Sequence, residues 1–322
     1  MQERLVDANG IRLNILEAGK GPTVLLCHGF PETSYAWRHQ ISALAGAGFH
    51  AVAPDMRGYG KSSCPEAVDR YTLFHLVGDM VGLLDALGVD KSVIVGNDWG
   101  ASVAWQAALL RPDRFTGVVA IGVPIMSQPP IPPTQIFPKT ADALLYALYF
   151  QEPGVAEAEF ERDVRLTLLK LLFAASGEAG SREDARTPNP FGMVSKRDGL
   201  LASLPVPEKL PDWIGAAELE NLAGAFRRSG FSGGLNYYRN LDRNWALQSC
   251  LKGKPVDVPA LYLMGERDTG LAIPGMGAII ADQTRLAPRL IDTMYLPGCG
   301  HWVPQERPDD VSAAIIGFAR GL

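Results

Sequence analysis

The chain has little from which to build a disulfide framework or a zinc site. Its four cysteines, Cys27, Cys64, Cys250 and Cys299, are scattered and form no C-x-x-C pair, the spacing that zinc and redox sites use. Buried or idle thiols in a cytoplasmic protein are the expectation. Histidine is scarce as well: there are five, and no two have metal-ligand spacing, so no metal and no cofactor are expected. Positive charge is not in excess. A net charge of −5 disfavours nucleic acid as a partner, because a phosphate backbone calls for a basic face. No apolar run reaches the ~18 residues of a membrane helix. The candidate "VVAIGVPIM" is short and interrupted by Gly and Pro, and "MQERLVDANG" lacks the apolar core of a signal peptide. What remains is an ordinary globular composition, 47% hydrophobic and 20% charged over 322 residues. That size suits one large domain or a core with an insertion.

The first third alternates between strand and helix signals. "RLVDAN" and "IRLNILEA", split by Asn9-Gly10, predict a hairpin. "PTVLLCHG", "HAVAPDM", "KSVIVG" and "FTGVVAIG" read as strands. "SYAWRHQISALAGAG", "TLFHLVGDMVGLLDALG" and "WGASVAWQAALLRP" read as helices, the second stopping at Gly88. Wholly apolar strands between helices predict an α/β fold with a mostly parallel sheet covered on both faces. The alternation breaks near residue 123, where "PIMSQPPIPPTQIFP" forms a Pro-rich linker. Helical segments such as "EAEFERDVRLTLLKLLFAA" and "AAELENLAGAFRRSG" follow, with "SGEAGSREDARTPNP" as a loop. Strand signals return at "VDVPALYLMGERD" and "RLIDTMYLPGCGHW", before a closing helix, "RPDDVSAAIIGFARGL". The predicted organisation is a core in two parts, 1–127 and 255–322, with a helical cap over 128–254. A cap inserted there would cover the carboxyl ends of the strands, where open α/β sheets place ligands.

Residues 93–102, "VIVGNDWGAS", carry the first chemical signal. A buried strand runs into Gly-x-x-x-Gly and then a helix, the frame of a nucleophile elbow, but its centre is Asp98 rather than serine. An aspartate ahead of a helix is also the commonest N-cap. Position after a buried strand and between Gly96 and Gly100 favours the nucleophile. Two further strand-end residues, Asp268 in "MGERDTG" and His301 in "GCGHWVP", complete the order nucleophile, acid, base. Glu266 is the rival acid, and Asp268 is preferred because it lies further into the loop. Of the other histidines, His39, His50 and His75 need only surface or packing roles, and His28 in "CHGFPE" suggests a structural role beside the site. The loop after "TVLLC" would offer the Phe30 N–H, and the residue after the nucleophile the Trp99 N–H, as oxyanion donors.

A carboxylate is a poor nucleophile for esters and amides, because attack gives an anhydride less stable than the starting ester. At a saturated carbon with a leaving group it gives an ordinary alkyl ester. A histidine can then activate water against that ester. Halide or an epoxide oxygen would serve as leaving group, the latter needing proton donors such as lid tyrosines.

"HGFPE", "DMRGYGKS", "GNDWGA", "YFQEPGVAEAEFE", "GGLNYYRN" and "GCGHW" together resemble the soluble, microbial-type epoxide hydrolases of the α/β-hydrolase fold, over nearly the whole chain. The resemblance implies a vicinal diol formed through a hydroxyalkyl ester on Asp98, with a His301-activated water and no cofactor. It also implies that the tyrosine before F-Q-E-P-G, Tyr149, and the tyrosine of the N-Y-Y-R-N stretch, Tyr238, polarise the epoxide oxygen, Tyr237 being the lesser candidate. One departure is Asn97, where that family usually has His or Gln. The alternatives are a dehalogenase and a non-catalytic binding protein. A haloalkane dehalogenase would carry Asn in place of Phe30, and a fluoroacetate dehalogenase Arg in place of Trp99. Pocket walls of Phe30, Trp99, Trp302, Ile125 and Met126 would favour a lipophilic substrate. A homodimer and a monomer both remain open.

Overall fold

The computed structural model describes residues 1–184 and 186–322. Six strands form first: β1 (Gln2–Ala8), β2 (Ile11–Ala18), β3 (Thr23–Cys27), β4 (His50–Pro54), β5 (Ser92–Asn97) and β6 (Phe115–Ile121). After a long excursion containing the short pair β7 (Ala143–Leu145) and β8 (Met193–Ser195), β9 (Ala260–Gly265) and β10 (Leu290–Leu296) return to the same sheet. The eight-stranded order is β1-β2-β4-β3-β5-β6-β9-β10. β1 and β2 are antiparallel, as are β2 and β4, and every later pairing is parallel. The predicted hairpin turn lies at Asn9 and Gly10, both at positive φ (51° and 75°), as a type I′ turn requires.

Both faces of the parallel strands are buried, and side chains alternate between them as the pleat demands. Leu25, Ile94, Val118 and Tyr262 join one core cluster, while Val24, Val93, Val119 and Leu261 join the other. Helix α1 (Arg38–Gly46) packs Ile41 and Leu44 on the second face, beside Val311 and Ile315 of the closing helix Pro308–Arg320. On the first face lie α2 (Leu73–Ala86), through Leu76, Met80 and Leu83, and α3 (Trp99–Leu110), through Ala104 and Ala108. Each buried leucine of this kind contributes about 2 kcal/mol. α2 begins where the Thr72 hydroxyl accepts the His75 N–H and ends at Ala86, two residues before Gly88, which has φ 68°.

Between Ile121 and Ala260 the chain leaves the sheet and covers the carboxyl ends of its parallel strands. This cap holds helices Val155–Phe160, Val164–Ala175, Ala216–Ser229, Ser232–Arg239 and Leu241–Leu247. The single helix read from "EAEFERDVRLTLLKLLFAA" is in fact two. Asp163 breaks it, because its carboxylate accepts the Leu166 N–H at 3.0 Å and starts a new helix. The β7–β8 pair escapes a sequence reading because three residues a strand are too few to show a period of two. Cap and core are joined by hydrogen bonds: the Tyr237 hydroxyl donates to the Arg57 carbonyl (2.9 Å), and Asn244 Oδ1 accepts the Leu73 N–H (2.9 Å). Among the described residues no helix is long and apolar enough to cross a membrane.

Replacing Asp163 removes one cap and touches nothing at the strand ends. Asp163→Ala should lower stability by about 1 kcal/mol, read from the urea midpoint, with kcat unchanged.

Candidate active site

Asp98 stands at the junction of β5 and α3 with φ 54° and ψ −120°. A non-glycine residue there stores about 1–3 kcal/mol of strain. It occupies the N-cap position, yet its side chain caps nothing. The carboxylate is instead turned to the loop after β3, where the Phe30 N–H donates to its Oδ1 at 2.8 Å. Three glycines permit this turn. A Cβ on Gly96 would strike the Gly100 carbonyl, one on Gly100 the Cys27 carbonyl, and one on Gly29 the Asp98 carboxylate itself. The Trp99 N–H heads α3, among the free donors of a helix start, and makes no contact with the carboxylate.

The loop is locked from behind. His28 Nδ1 donates to the Gly29 carbonyl at 2.9 Å, and its Nε2 accepts the Met56 N–H at 2.9 Å. That is the structural role read for this histidine. The Phe30–Pro31 peptide is cis.

Asp268, fully buried, follows the end of β9. Its Oδ1 accepts the Gly270 N–H (2.7 Å) and its Oδ2 faces His301 Nδ1 (2.9 Å). The rival Glu266 points to solvent and accepts the Gly298 N–H. The far nitrogen of His301, Nε2, lies 3.5 Å from Asp98 Oδ2. Burial pushes the imidazole's pKa down, but the Asp268 and Asp98 carboxylates on either side outweigh it and hold the pKa well above its usual value. One histidine therefore bridges two carboxylates, oriented by Asp268 and aimed at Asp98.

The two lid tyrosines do not stand as the sequence suggested. Tyr238 does face the site. Its ring meets Trp99 edge-on at 5.1 Å and Phe30 at 5.8 Å, and burial followed by the Asp98 charge pushes its hydroxyl pKa up. Tyr149 does not. Its hydroxyl donates to Glu159 Oε2 at 2.8 Å, and Glu159 also accepts the Leu200 and Leu201 N–H groups, so Tyr149 anchors the cap. The residue beside Tyr238 is Tyr146, at 5.7 Å between rings. Burial, then the Asp98 and Asp268 carboxylates, push its hydroxyl up. Both tyrosines lie in the one-turn helix Tyr146–Tyr149. Their spacing of three sets them one turn apart along the same side of that helix, and one sequence cannot say which of the two reaches the site. Tyr237, hydrogen-bonded to Arg57, is structural.

Two expected walls also differ. Trp302 is fully buried behind His301, with its indole N–H donated to the Leu172 carbonyl at 2.7 Å. Phe30 is buried among Phe150, Phe231 and Tyr238. A cavity of about 260 Å³ opens past Trp99 and is lined by Val123, Ile125, Met126, Leu241 and Trp245.

Sequence reasoning missed Glu32, the acid of "HGFPE". It is buried, accepts from Gln305 Nε2 at 2.7 Å, and is pushed up to about 7, chiefly by burial. Asn97 is also fully buried, and neither of its amide atoms has a partner among the described residues.

The α/β-hydrolase-fold family model matches residues 22–308. Epoxide hydrolase A of Mycobacterium tuberculosis is 44% identical over 99% of this chain and 98% of its own. The chain belongs to the epoxide hydrolases of the α/β-hydrolase fold. A solved epoxide hydrolase from an endophytic Streptomyces superposes with TM-score 0.94 at 40% identity, covering 99% of this chain and 95% of that one. Epoxide hydrolase A from Mycobacterium thermoresistibile gives 0.91 at 43%, covering 100% and 98%.

Glu32 binds its proton more tightly folded than unfolded, about 7 against 4.5. Its stabilising contribution is complete below the unfolded value and is lost as pH rises through about 7, a change of about 3 kcal/mol. Glu32→Gln should therefore flatten the fall in urea midpoint between about pH 5 and about pH 8. Equal slopes in variant and wild type would contradict a near-neutral Glu32.

Proposed function

We propose that the enzyme opens an epoxide to a vicinal diol through an ester on Asp98. The observation that carries this reading is the pairing of an aspartate nucleophile, 3.5 Å from a base held by Asp268, with two tyrosines, the buried Tyr238 and the half-buried Tyr146. Because Oδ1 is engaged by the Phe30 N–H, Oδ2 attacks. It bonds to one ring carbon, and that carbon's bond to the epoxide oxygen breaks. The freed oxygen takes a proton from Tyr146 or Tyr238. Oδ1 becomes the ester carbonyl and already sits at its oxyanion donor.

Esterification removes the Asp98 charge that helped keep His301 protonated, so the imidazole's proton affinity falls and its proton passes to the tyrosinate, which regenerates the tyrosine and leaves His301 neutral. His301 Nε2 then takes a proton from water, whose oxygen adds to the ester carbonyl. The Phe30 N–H holds the oxyanion, with Trp99 as the second donor. Collapse breaks the acyl–oxygen bond and releases the diol, the leaving oxygen taking the proton from His301, and the Asp98 acid left behind returns its own proton to His301 and so restores the carboxylate. The residue span 128–254 is the proposed cap domain, and Trp99, Ile125 and Met126 line a path suited to a lipophilic epoxide. Halide displacement by the same aspartate is the weaker reading, since Phe30 has no side-chain N–H for a halide.

With styrene oxide as probe, His301→Gln should accumulate an adduct of substrate mass on the peptide carrying Asp98. Absence of that adduct, where wild type turns the probe over, would refute the covalent scheme. The tyrosine assignment is tested separately. Tyr146→Phe combined with Tyr238→Phe should slow ring opening by about 10²-fold or more. Tyr149→Phe should keep ring opening within a few-fold and instead lower stability by about 1–2 kcal/mol, measured by urea unfolding.

A further inference from the structure

We propose that Glu306 is a positioning residue that ties the seating of the cap to the placement of His301, and that ester hydrolysis depends on it while ring opening does not. The inference rests on the two-step reading above.

Glu306 ends the one-turn helix Val303–Glu306 that follows the base. Its Oε2 accepts the N–H of Gly177 at 2.8 Å and of Gly300 at 2.9 Å, and its Oε1 accepts that of Trp302 at 3.0 Å. Gly177 belongs to the cap, just past helix Val164–Ala175, whereas Gly300 and Trp302 flank His301 on both sides. The N–H of His301 itself donates to the carbonyl of Ala175 at 2.9 Å, and the Trp302 indole donates to that of Leu172 at 2.7 Å. These carbonyls lie in the last turn of the helix, where intrahelical partners run out. Every backbone N–H from Gly300 to Trp302 is thus held, two by Glu306 and one by the cap helix.

The fit leaves no slack. A Cβ on Gly300 would meet the Gly177 nitrogen, and one on Gly177 the Gly298 carbonyl. No lysine, arginine or histidine lies at ion-pair distance from Glu306 among the described residues. Burial pushes its pKa up, and the backbone donors it gathers oppose that rise, which ties their arrangement to its carboxyl group.

Ring opening uses Asp98, the Phe30 N–H and the tyrosines, none of which Glu306 touches. Water activation uses His301, whose backbone Glu306 pins before and after. A Gln at 306 keeps the size and one acceptor, but sets an NH₂ group against a backbone donor. In single-turnover quench with styrene oxide, Glu306→Gln should form the ester within about twofold of the wild-type rate. It should hydrolyse that ester at least about tenfold more slowly, so that ester builds up during steady state. Glu306→Asp, too short to reach all three donors, should show the same split. Asp163→Ala loosens the same helix at its far end and should show none.

Equal slowing of both steps, or normal ester hydrolysis in both Glu306 variants, would overturn the proposal. So would failure of both to fold while Asp163→Ala folds, since Glu306 would then be a fold anchor. His301→Gln in the same assay separates the readings: if it accumulates no ester, the two-step scheme itself has failed.

Discussion

Asp98 takes its place at the strand ends only because two of them come almost into backbone contact. β3 and β5 are neighbours, and the turns that leave them are pressed together at Gly29, Gly96 and Gly100, where any Cβ would collide. That pressure holds a non-glycine residue at positive φ and turns its carboxylate out of the helix-capping geometry, onto the Phe30 N–H. The strain at Asp98, about 1–3 kcal/mol, is offset by the fully buried strands beneath it. The packed sheet, with α2 and α3 on one face and α1 on the other, is what makes the elbow affordable.

Around this point the charges are arranged unevenly. Asp98 and Asp268 share one histidine, and burial pushes the pKa of nearby Glu32 up to about 7. In the proposed scheme, esterifying Asp98 takes away one of the two carboxylates that raise the His301 pKa, so the first step prepares the base for the second. Aromatic rings close the space from the cap side: Tyr238 against Trp99, Tyr146 against Tyr238 and Phe191, and Phe191 against His301. They exclude water from the charges and so strengthen them.

The strands and the glycine-framed turn at Asp98 were legible in the chain because each is a local pattern: an apolar run, a glycine frame. Asp268 could be preferred to Glu266 only by its place in the loop, and burial decides the matter, since one is enclosed and the other exposed. The cap was less legible. Its helix pattern runs unbroken through Asp163, where a side-chain hydrogen bond divides it. Trp302, next to the base, looked like a pocket wall, but its indole N–H finds the end of a cap helix and its ring is buried. Tyr149 looked like a proton donor, but Glu159 captures it.

By itself, then, the sequence determined the sheet and the strand-to-helix turn that carries Asp98, because backbone sterics act over a few residues. Tertiary structure alone decided which tyrosine faces the site, where Trp302 goes and what holds the His301 loop. Those outcomes depend on contacts between residues far apart in the chain, and on a shift of one helical turn along the axis, which no local pattern records.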